Sequence, residues 1–226
     1  MANLRDKKQL EGIKTIYFDY DGTLHNSNKI YAPAFRKAYD FLVENHKAEQ
    51  KNWEDEEIAK WLGYTSIEMW KNFMADLEEP FRMKASLIIG QEMREQMLAG
   101  NAELYDNSIN TLKELKNRGY VLVFLSNCGI KYMETSRKLF NLDLYFDSMI
   151  CSEMYDYIPK YEMLKIIKHQ FEMDQVIVGD RFHDVESGNI NGIKSVFCEY
   201  GYGCKNEGET ATVKIKEIKE ILDILI

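Results

Sequence analysis

The sequence has few of the residues that staple secreted proteins or hold structural metal ions. Of its 226 residues only four are cysteines and four are histidines. The cysteines form no CxxC pair and have no histidine-rich ligand spacing around them. We therefore expect reduced thiols rather than a disulfide framework or a zinc site. These thiols are Cys128, Cys151, Cys198 and Cys204.

Long apolar runs and an excess of positive charge are also lacking. Residues 1–14 are polar and have no apolar stretch of the signal-peptide kind, and no later run is long enough to span a bilayer. The formal net charge of −8 argues against a general binder of nucleic acids or anionic membranes, because such a binder needs a basic face. An anionic substrate stays compatible, since a bound cation can reverse the local sign. We expect a cytoplasmic globular protein with no nucleic-acid or membrane partner, as a monomer or homodimer.

What the sequence does contain is an alternation of buried strands with amphipathic helices. The segments predicted as strands are residues 14–20, 120–126, 175–179, 195–199 and 211–215. Helical patterns precede the second and third strands and follow the last; they cover residues 108–118, 161–171 and the stretch up to 225. This order predicts an α/β fold, a Rossmann-like, doubly wound parallel sheet with helices on both faces.

One long stretch interrupts the alternation. It contains no convincing strand and reads as four helices at residues 34–46, 56–62, 66–77 and 81–98. Trp53, Trp61 and Trp70 all fall here, and we expect them mainly in the core of a small helical domain. We therefore predict a discontinuous α/β core of residues 1–28 and 103–226, with an all-helical insert of residues 29–102.

Polar residues cluster where the predicted strands end. Ligands of doubly wound sheets bind outside the carboxyl ends of the strands, so side chains at that edge are candidates for chemistry. They comprise four carboxylates, a hydroxyl, an amide, a lysine and a turn glycine. The residues are Asp19, Asp21, Gly22, Ser126, Asn127, Lys160, Asp180 and Asp184.

Residue types at this edge favour phosphoryl transfer. Asp19 can attack phosphorus in line and form an aspartyl-phosphate. Asp21 can protonate the leaving oxygen and then deprotonate the attacking water. Backbone N–H groups at a glycine turn, a hydroxyl, an amide and a lysine can all donate to phosphate oxygens. The phosphate donors expected here are Gly22, Ser126, Asn127 and Lys160.

Carboxylates packed this densely call for a cation, because several anions a few ångströms apart otherwise raise one another's pKa. Oxygen ligands beside a phosphate favour Mg²⁺. We expect Asp19 and Asp180 as side-chain ligands. For Asp184 two roles stay open, since it can hold a ligand water or orient Lys160.

Taken in order, these segments resemble the four motifs of the haloacid dehalogenase-like hydrolase superfamily. They are DYDGTL at residues 19–24, the strand ending at Ser126, Lys160, and the pair at residues 179–180 followed by Asp184. The helical insert is similar to that family's cap, in the layout of phosphoglycolate phosphatases and β-phosphoglucomutases. The resemblance implies a Mg²⁺-dependent phosphomonoester hydrolase of a small phosphorylated metabolite. It also implies the backbone carbonyl of Asp21 as a further metal ligand.

Two motifs depart from the common pattern of these relatives. Many have Lys-Pro in the third motif, whereas here the order is Pro159-Lys160. In the fourth motif the bulky residues Arg181, Phe182 and His183 stand where small ones are common. We expect His183 to pack or hydrogen-bond beside the site.

Other functions remain to be weighed against the phosphatase. A sugar-phosphate mutase or phosphotransferase would pass the phosphoryl group to another hydroxyl. A 2-haloacid dehalogenase would need Asp19 but not the acid/base carboxylate Asp21, and a non-catalytic binding module would have lost key carboxylates. All four carboxylates are present, so the phosphatase is the leading hypothesis. Contact of His25 with substrate stays open.

Overall fold

Six strands form one sheet at the centre of the structure, a computed structural model that describes residues 9–171 and 174–225. The strands are β1 Thr15–Phe18, β2 Val121–Ser126, β3 Ser148–Cys151, β4 Gln175–Gly179, β5 Lys194–Cys198 and β6 Val213–Ile215. Their order is β3-β2-β1-β4-β5-β6, and every neighbouring pair is parallel. The predicted α/β fold with a parallel sheet is confirmed.

The sheet is buried on both faces, which explains its apolar strands. Ile16 and Phe18 of β1 pack into one core cluster, whereas Tyr17 between them packs into a second. Successive side chains of a strand point to opposite faces, so each face needs its own covering layer. On the Tyr17 face that layer includes Met163 and Ile167.

Helices fill the connections between the strands. They are α1 Asn28–Glu44, α2 Asp55–Ala59, α3 Ser66–Phe73, α4 Glu79–Leu98, α5 Ser108–Asn117, α6 Ile130–Phe140, α7 Lys160–Ile167, α8 Phe182–Asn191 and α9 Ile221–Ile224. The first begins before its predicted start at residue 34 and contains Pro33. Within the residues described, none of the helices is long and apolar enough to cross a membrane.

Three elements are absent from the sequence-based interpretation. Strand β3 has only four residues, two of them only partly buried, so its pattern is too short to stand out. Helices α6 and α8 are also missing from the sequence-based prediction, although both are regular in the structure. The predicted helix at residues 161–171 begins at Lys160 and changes to a 3₁₀ turn at Lys168–Gln170.

Between β1 and β2 lie α1 to α4, which pack around their own apolar cluster. Phe73 is partly buried and packs against this cluster, with its ring centroid 5.2 to 5.8 Å from those of four neighbouring aromatic rings. Those rings belong to Phe35, Trp53, Trp61 and Trp70. Trp70 is buried in the core of the helical insert, while Trp53 and Trp61 are partly buried and pack against that core, which suits a small unit that needs large side chains. The exact boundaries at residues 28/29 and 102/103 stay a prediction.

Strand register brings the candidate residues to one edge. Phe18 of β1 stands opposite Phe124 of β2 and Val178 of β4. Beyond this level β2 continues for two residues to Ser126 and β4 for one residue to Gly179. The three central strands therefore end within two residues of one another, and the residues that follow them emerge at the same edge of the sheet. This edge positions the candidate site.

Truncating a leucine of the sheet should cost far more stability than truncating an exposed one. We predict that Leu122→Ala, at a fully buried position of β2, lowers the free energy of unfolding by about 2–5 kcal/mol. Leu144→Ala, where 70% of the residue is exposed, should change it by less than about 0.5 kcal/mol. Urea denaturation measures both. Equal losses in the two variants would contradict the described core.

Candidate active site

Asp19 follows β1 directly and is held by the neighbouring strand. Its backbone N–H donates to the Val178 carbonyl at 2.9 Å, so the β1–β4 ladder extends one residue into the site. The chain then turns at Gly22, where φ is +85° and an added Cβ would lie 2.6 Å from the Asp180 Cγ. A glycine is required at this turn both by its backbone conformation and by the close approach of the carboxylate.

A buried lysine joins two of the carboxylates. Lys160 Nζ donates to Asp19 Oδ1 at 2.8 Å and to Asp184 Oδ1 at 2.7 Å, and all three side chains are at most 2% exposed. Pro159 precedes the helix and Lys160 is its first residue. The inverted Pro-Lys order thus still delivers the ammonium to the sheet edge.

Asp184 is fixed from a second side. Its Oδ2 accepts the backbone N–H of Arg181 at 3.1 Å, in the first turn of α8. With Oδ1 on Lys160, both oxygens have protein partners. Of the two roles left open for Asp184, this geometry favours orientation of the lysine.

Asp180 lies just beyond β4 and is fully buried. Its Oδ2 accepts the Tyr202 backbone N–H at 2.7 Å, and its Oδ1 accepts the Thr23 hydroxyl at 3.3 Å. A Cβ at Gly201 would overlap the Asp180 side chain. The carboxylate is therefore clamped between the first turn and the segment that follows β5.

Burial dominates the electrostatics of this edge. It raises the pKa of Asp180 to about 7, with the Asp184 charge adding to the rise and the Tyr202 N–H opposing it. Burial also raises the pKa of Asp19 well above its usual range, although Lys160 acts against that rise. Burial alone would lower the pKa of Lys160, but Asp184 and Asp19 raise it above its ordinary value. Lys160 thus stays protonated, and its single positive charge faces several carboxylates.

The arrangement fits a divalent cation with oxygen ligands. Asp19, Asp180 and Asp184 each offer one oxygen within 4.8 Å of the others. Asp19 Oδ2 is buried and has no hydrogen-bond partner within residues 9–171 and 174–225. A cation would satisfy that oxygen and offset the charge of three carboxylates facing one ammonium.

Asp21 is directed elsewhere. Its Oδ1 accepts the Tyr132 hydroxyl at 2.6 Å, and 14% of its side chain is exposed. The Nδ1 of the buried His25 lies 2.9 Å from the same hydroxyl. Asp21 therefore has its own hydrogen-bonding partners, separate from the lysine-bridged carboxylates. Its backbone carbonyl stays a predicted metal ligand.

The remaining predicted phosphate donors lie close to the edge. Ser126 ends β2 and is 2% exposed. Asn127 donates its side-chain amide to the Gly63 carbonyl at 2.9 Å, so this amide is engaged by the helical insert. The Gly22 N–H donates to the His25 carbonyl at 2.9 Å, inside its own turn. Phosphate contact by these three residues stays a prediction.

Arg181 is a functional candidate that sequence reasoning noted only for its size. Its guanidinium donates to the carbonyls of Lys60 and Leu62 and to Glu207, and it lies 4.9 Å from the Tyr64 ring centroid. Lys60, Leu62 and Tyr64 belong to the insert loop, residues 60–65 between α2 and α3. The available signal in the sequence is the size of the residue, since a large side chain where small ones are common needs something to contact.

His183 packs against the same loop, as expected of it. Its ring stacks on Phe182 at a centroid distance of 3.8 Å and meets Tyr64 edge-on at 5.0 Å. Its Nε2 lies 3.7 Å from a carboxylate oxygen of Glu68. The interaction with His183 lowers the pKa of Glu68 to about 2. Fourth-motif side chains thus connect the sheet edge to the helical insert.

The chain is similar to known proteins in sequence and in fold. Residues 16–198 match the family model for haloacid dehalogenase-like hydrolases. Pyrophosphatase PpaX of Bacillus pumilus is 24% identical over 220 residues, covering 94% of this chain and 95% of that protein. A predicted phosphoglycolate phosphatase from Haemophilus somnus has a TM-score of 0.76 at 22% identity, covering 94% and 97% of the two chains. CbbY from Rhodobacter sphaeroides, in complex with phosphate, has a TM-score of 0.77 at 18% identity, covering 94% and 99%.

Removing divalent cations should make the stability of the protein fall with rising pH. Asp180 has a folded-state pKa of about 7 against an ordinary 3.8. Between these values the folded protein binds more protons than the unfolded chain, so the free energy of unfolding decreases as pH rises. In EDTA we expect a lower melting temperature at about pH 8 than at about pH 5. Adding a divalent cation should raise the melting temperature more at the higher pH.

Comparison with Asp180→Asn isolates this contribution from other titrating groups. The variant should lose part of the decline between about pH 4 and pH 7, whereas Asp40→Asn, at an exposed position of α1, should keep it. If Asp180→Asn and the wild type show the same pH dependence in EDTA, the raised pKa of Asp180 is wrong.

Proposed function

The chain belongs to the haloacid dehalogenase-like hydrolases and is an enzyme of the phosphatase type, and on this premise we propose that it is a Mg²⁺-dependent phosphomonoester hydrolase. Its substrate is a small phosphorylated metabolite and its nucleophile is Asp19. The observation that carries the proposal is the state of the Asp19 carboxylate. One oxygen is held by Lys160, while the other is buried and has no partner among the described residues.

The reaction has two steps at Asp19. In the first, a carboxylate oxygen of Asp19 bonds to phosphorus as the bond from phosphorus to the leaving oxygen breaks, and Asp21 donates a proton to that oxygen. In the second, Asp21 takes a proton from a water that attacks phosphorus. The bond between phosphorus and Asp19 breaks, and the carboxylate is restored. Separate surroundings for Asp19 and Asp21 support this division of work.

Mg²⁺ would be held by the side chains of Asp19 and Asp180 and by the backbone carbonyl of Asp21. When bound, it supplies positive charge to the transferring phosphoryl group. Lys160 adds a fixed cation at Asp19 Oδ1. Asp184 keeps that ammonium in place, because its own oxygens are committed to Lys160 and to the start of α8.

Phosphate binding is assigned to groups along the same edge. Ser126 supplies its hydroxyl, Asn127 its backbone N–H and Lys160 its charge. The Gly22 N–H is used inside its own turn. We therefore assign Gly22 the role of letting the backbone come close to the phosphate. These donors would bind the equatorial oxygens of the transferring group, where charge is shared in the transition state.

The helical insert would act as a cap that excludes water and selects the substrate. Support comes from the insert loop, which reaches the catalytic edge through three contacts. Arg181 donates to its carbonyls, Asn127 donates to Gly63, and His183 meets Tyr64. Side chains from the second and fourth motifs would thus hold the insert against the site. We propose residues 29–102 as this cap.

Pyrophosphate is a second substrate candidate. The relative from Bacillus pumilus, matched over 94% of this chain, is named a pyrophosphatase. Hydrolysis of pyrophosphate needs the same nucleophile and cation, with phosphate as the leaving group. A screen of phosphorylated metabolites that includes pyrophosphate therefore separates the two. Phosphate release without an activating bisphosphate would exclude a sugar-phosphate mutase.

Removing the nucleophile should abolish turnover. We predict that Asp19→Asn lowers kcat by about a thousand-fold or more, because the amide oxygen is a poor nucleophile. Asp40→Asn, the same change at an exposed position, should leave kcat within about twofold of the wild type. Phosphate release with Mg²⁺ on the best substrate of the screen is the measurement. Unchanged activity of Asp19→Asn would refute the proposal.

Loosening the insert loop should affect substrate capture. We predict that Arg181→Ala lowers kcat/KM by about ten-fold or more, since a displaced loop misplaces the substrate. Arg94→Ala, at an exposed position of α4, is the matched control and should stay near the wild type. Steady-state kinetics on the best substrate of the metabolite screen measures both. A kcat/KM unchanged in Arg181→Ala would show that closure does not depend on this contact.

A further inference from the structure

Three side chains form a hydrogen-bonded chain that ends on Asp21. Tyr132, in the first turn of α6, places its hydroxyl 2.6 Å from Asp21 Oδ1. His25 Nδ1 lies 2.9 Å from that hydroxyl and 3.4 Å from Asp21 Oδ1. The shorter distances link the imidazole to the phenol and the phenol to the carboxylate.

The positions of the protons follow from the groups involved. The Tyr132 hydroxyl donates its single proton to Asp21 Oδ1, an oxygen that accepts whether or not the other carboxyl oxygen carries a proton. The phenol oxygen must then accept from His25, so the Nδ1 atom of His25 carries a hydrogen. Burial raises the pKa of Tyr132 well above its usual range, which keeps the phenol a donor.

Packing alone does not explain this histidine. His25 is fully buried, and its Nε2 has no partner in the described part of the chain. Its ring stacks on Tyr20 at 5.0 Å and lies 6.0 Å from Phe140. An apolar side chain would fill such an aromatic site without leaving a buried nitrogen unsatisfied. The polar contacts that its ring makes are with Tyr132 and, at a longer distance, with Asp21 itself.

We propose that Tyr132 and His25 are positioning residues that set Asp21 for proton transfer, a role that rests on the phosphatase function proposed above. The bond from Tyr132 occupies Oδ1, which leaves Oδ2 as the oxygen that carries the proton. His25 orients the phenol. The Asp21 side chain is partly exposed, so a reacting group can reach it while Tyr132 holds its Oδ1 atom.

The bond matters most when charge forms on Asp21. In the first step the Oδ2–H proton passes to the leaving oxygen as its bond to phosphorus breaks, and Asp21 becomes a carboxylate. The Tyr132 bond then becomes charge-assisted and stronger. In the second step Oδ2 takes a proton from the attacking water. Throughout both steps the Tyr132 proton stays on its phenol.

Tyr132→Phe tests this role because it removes only the hydroxyl. With an alkyl phosphate, whose leaving oxygen needs a proton, we expect the single-turnover rate of enzyme phosphorylation to fall by about ten- to a hundred-fold, with KM little changed. With 2,4-dinitrophenyl phosphate, whose leaving group needs no proton, the rate should fall by less than about threefold. Tyr145→Phe, outside the site, should match the wild type on both substrates.

A second pair of variants tests His25. His25→Leu removes the donor to Tyr132 and should show the same dependence on leaving group, with a loss of several-fold. His25→Asn places an amide N–H near the original Nδ1 and should recover part of the rate. This rescue keeps the proposal testable if Tyr132→Phe folds poorly, and melting temperatures identify that case.

Two outcomes would overturn this inference and leave the phosphatase function standing. One is an equal loss of rate on the alkyl and the dinitrophenyl ester in Tyr132→Phe, as a general structural defect would give. The other is an unchanged alkyl ester rate in both Tyr132→Phe and His25→Leu while wild-type turnover still depends on Asp19. Failure of the phosphatase function itself has a different signature, since wild type and Asp19→Asn would then be equally active or equally inactive on every ester, and the inference would fall with it.

Discussion

Two hydrogen bonds from one buried ammonium organise this protein. Lys160 Nζ binds the carboxylates of Asp19 and Asp184 away from solvent. Burying three ionised groups is a weak source of stability, because desolvation offsets much of the attraction. What the arrangement supplies is geometry, since the lysine ties the start of α7 to the end of β1 and to the first turn of α8. Burial is the main reason that the pKa of Asp180 is raised to about 7, and the charge of nearby Asp184 adds to the rise.

Space at this edge is as tightly constrained as charge. Side chains added at Gly22 or Gly201 would overlap Asp180, and one added at Gly179 would overlap Asp184. The carboxylates fit here because the backbone carries no side chain at these three glycines. The edge of the parallel sheet, the buried lysine and the closely packed glycines thus act together. On the outer side, Arg181 connects the edge to the insert loop.

Much of this could be predicted from sequence where the signal is local. Buried strands such as β4 show as apolar runs, and their order implies a parallel sheet, which also places Asp19 and Asp180 together. Strand β3 could not be found, because four residues with a partly buried start carry too little pattern. The contacts of Arg181 and Tyr132 depend on elements more than a hundred residues away, and no local pattern reports such pairings. The separate surroundings of Asp21 were hidden for the same reason.

A covalent phosphoryl group on Asp19 is the central claim, and it can be observed directly. Wild-type protein mixed with Mg²⁺ and its best substrate is quenched in acid within a single turnover, digested and analysed by peptide mass spectrometry. The account predicts a phosphoryl adduct on the peptide that contains Asp19, appearing and decaying at rates that match turnover. Full turnover with no adduct on that peptide, or an adduct on another residue, would contradict it.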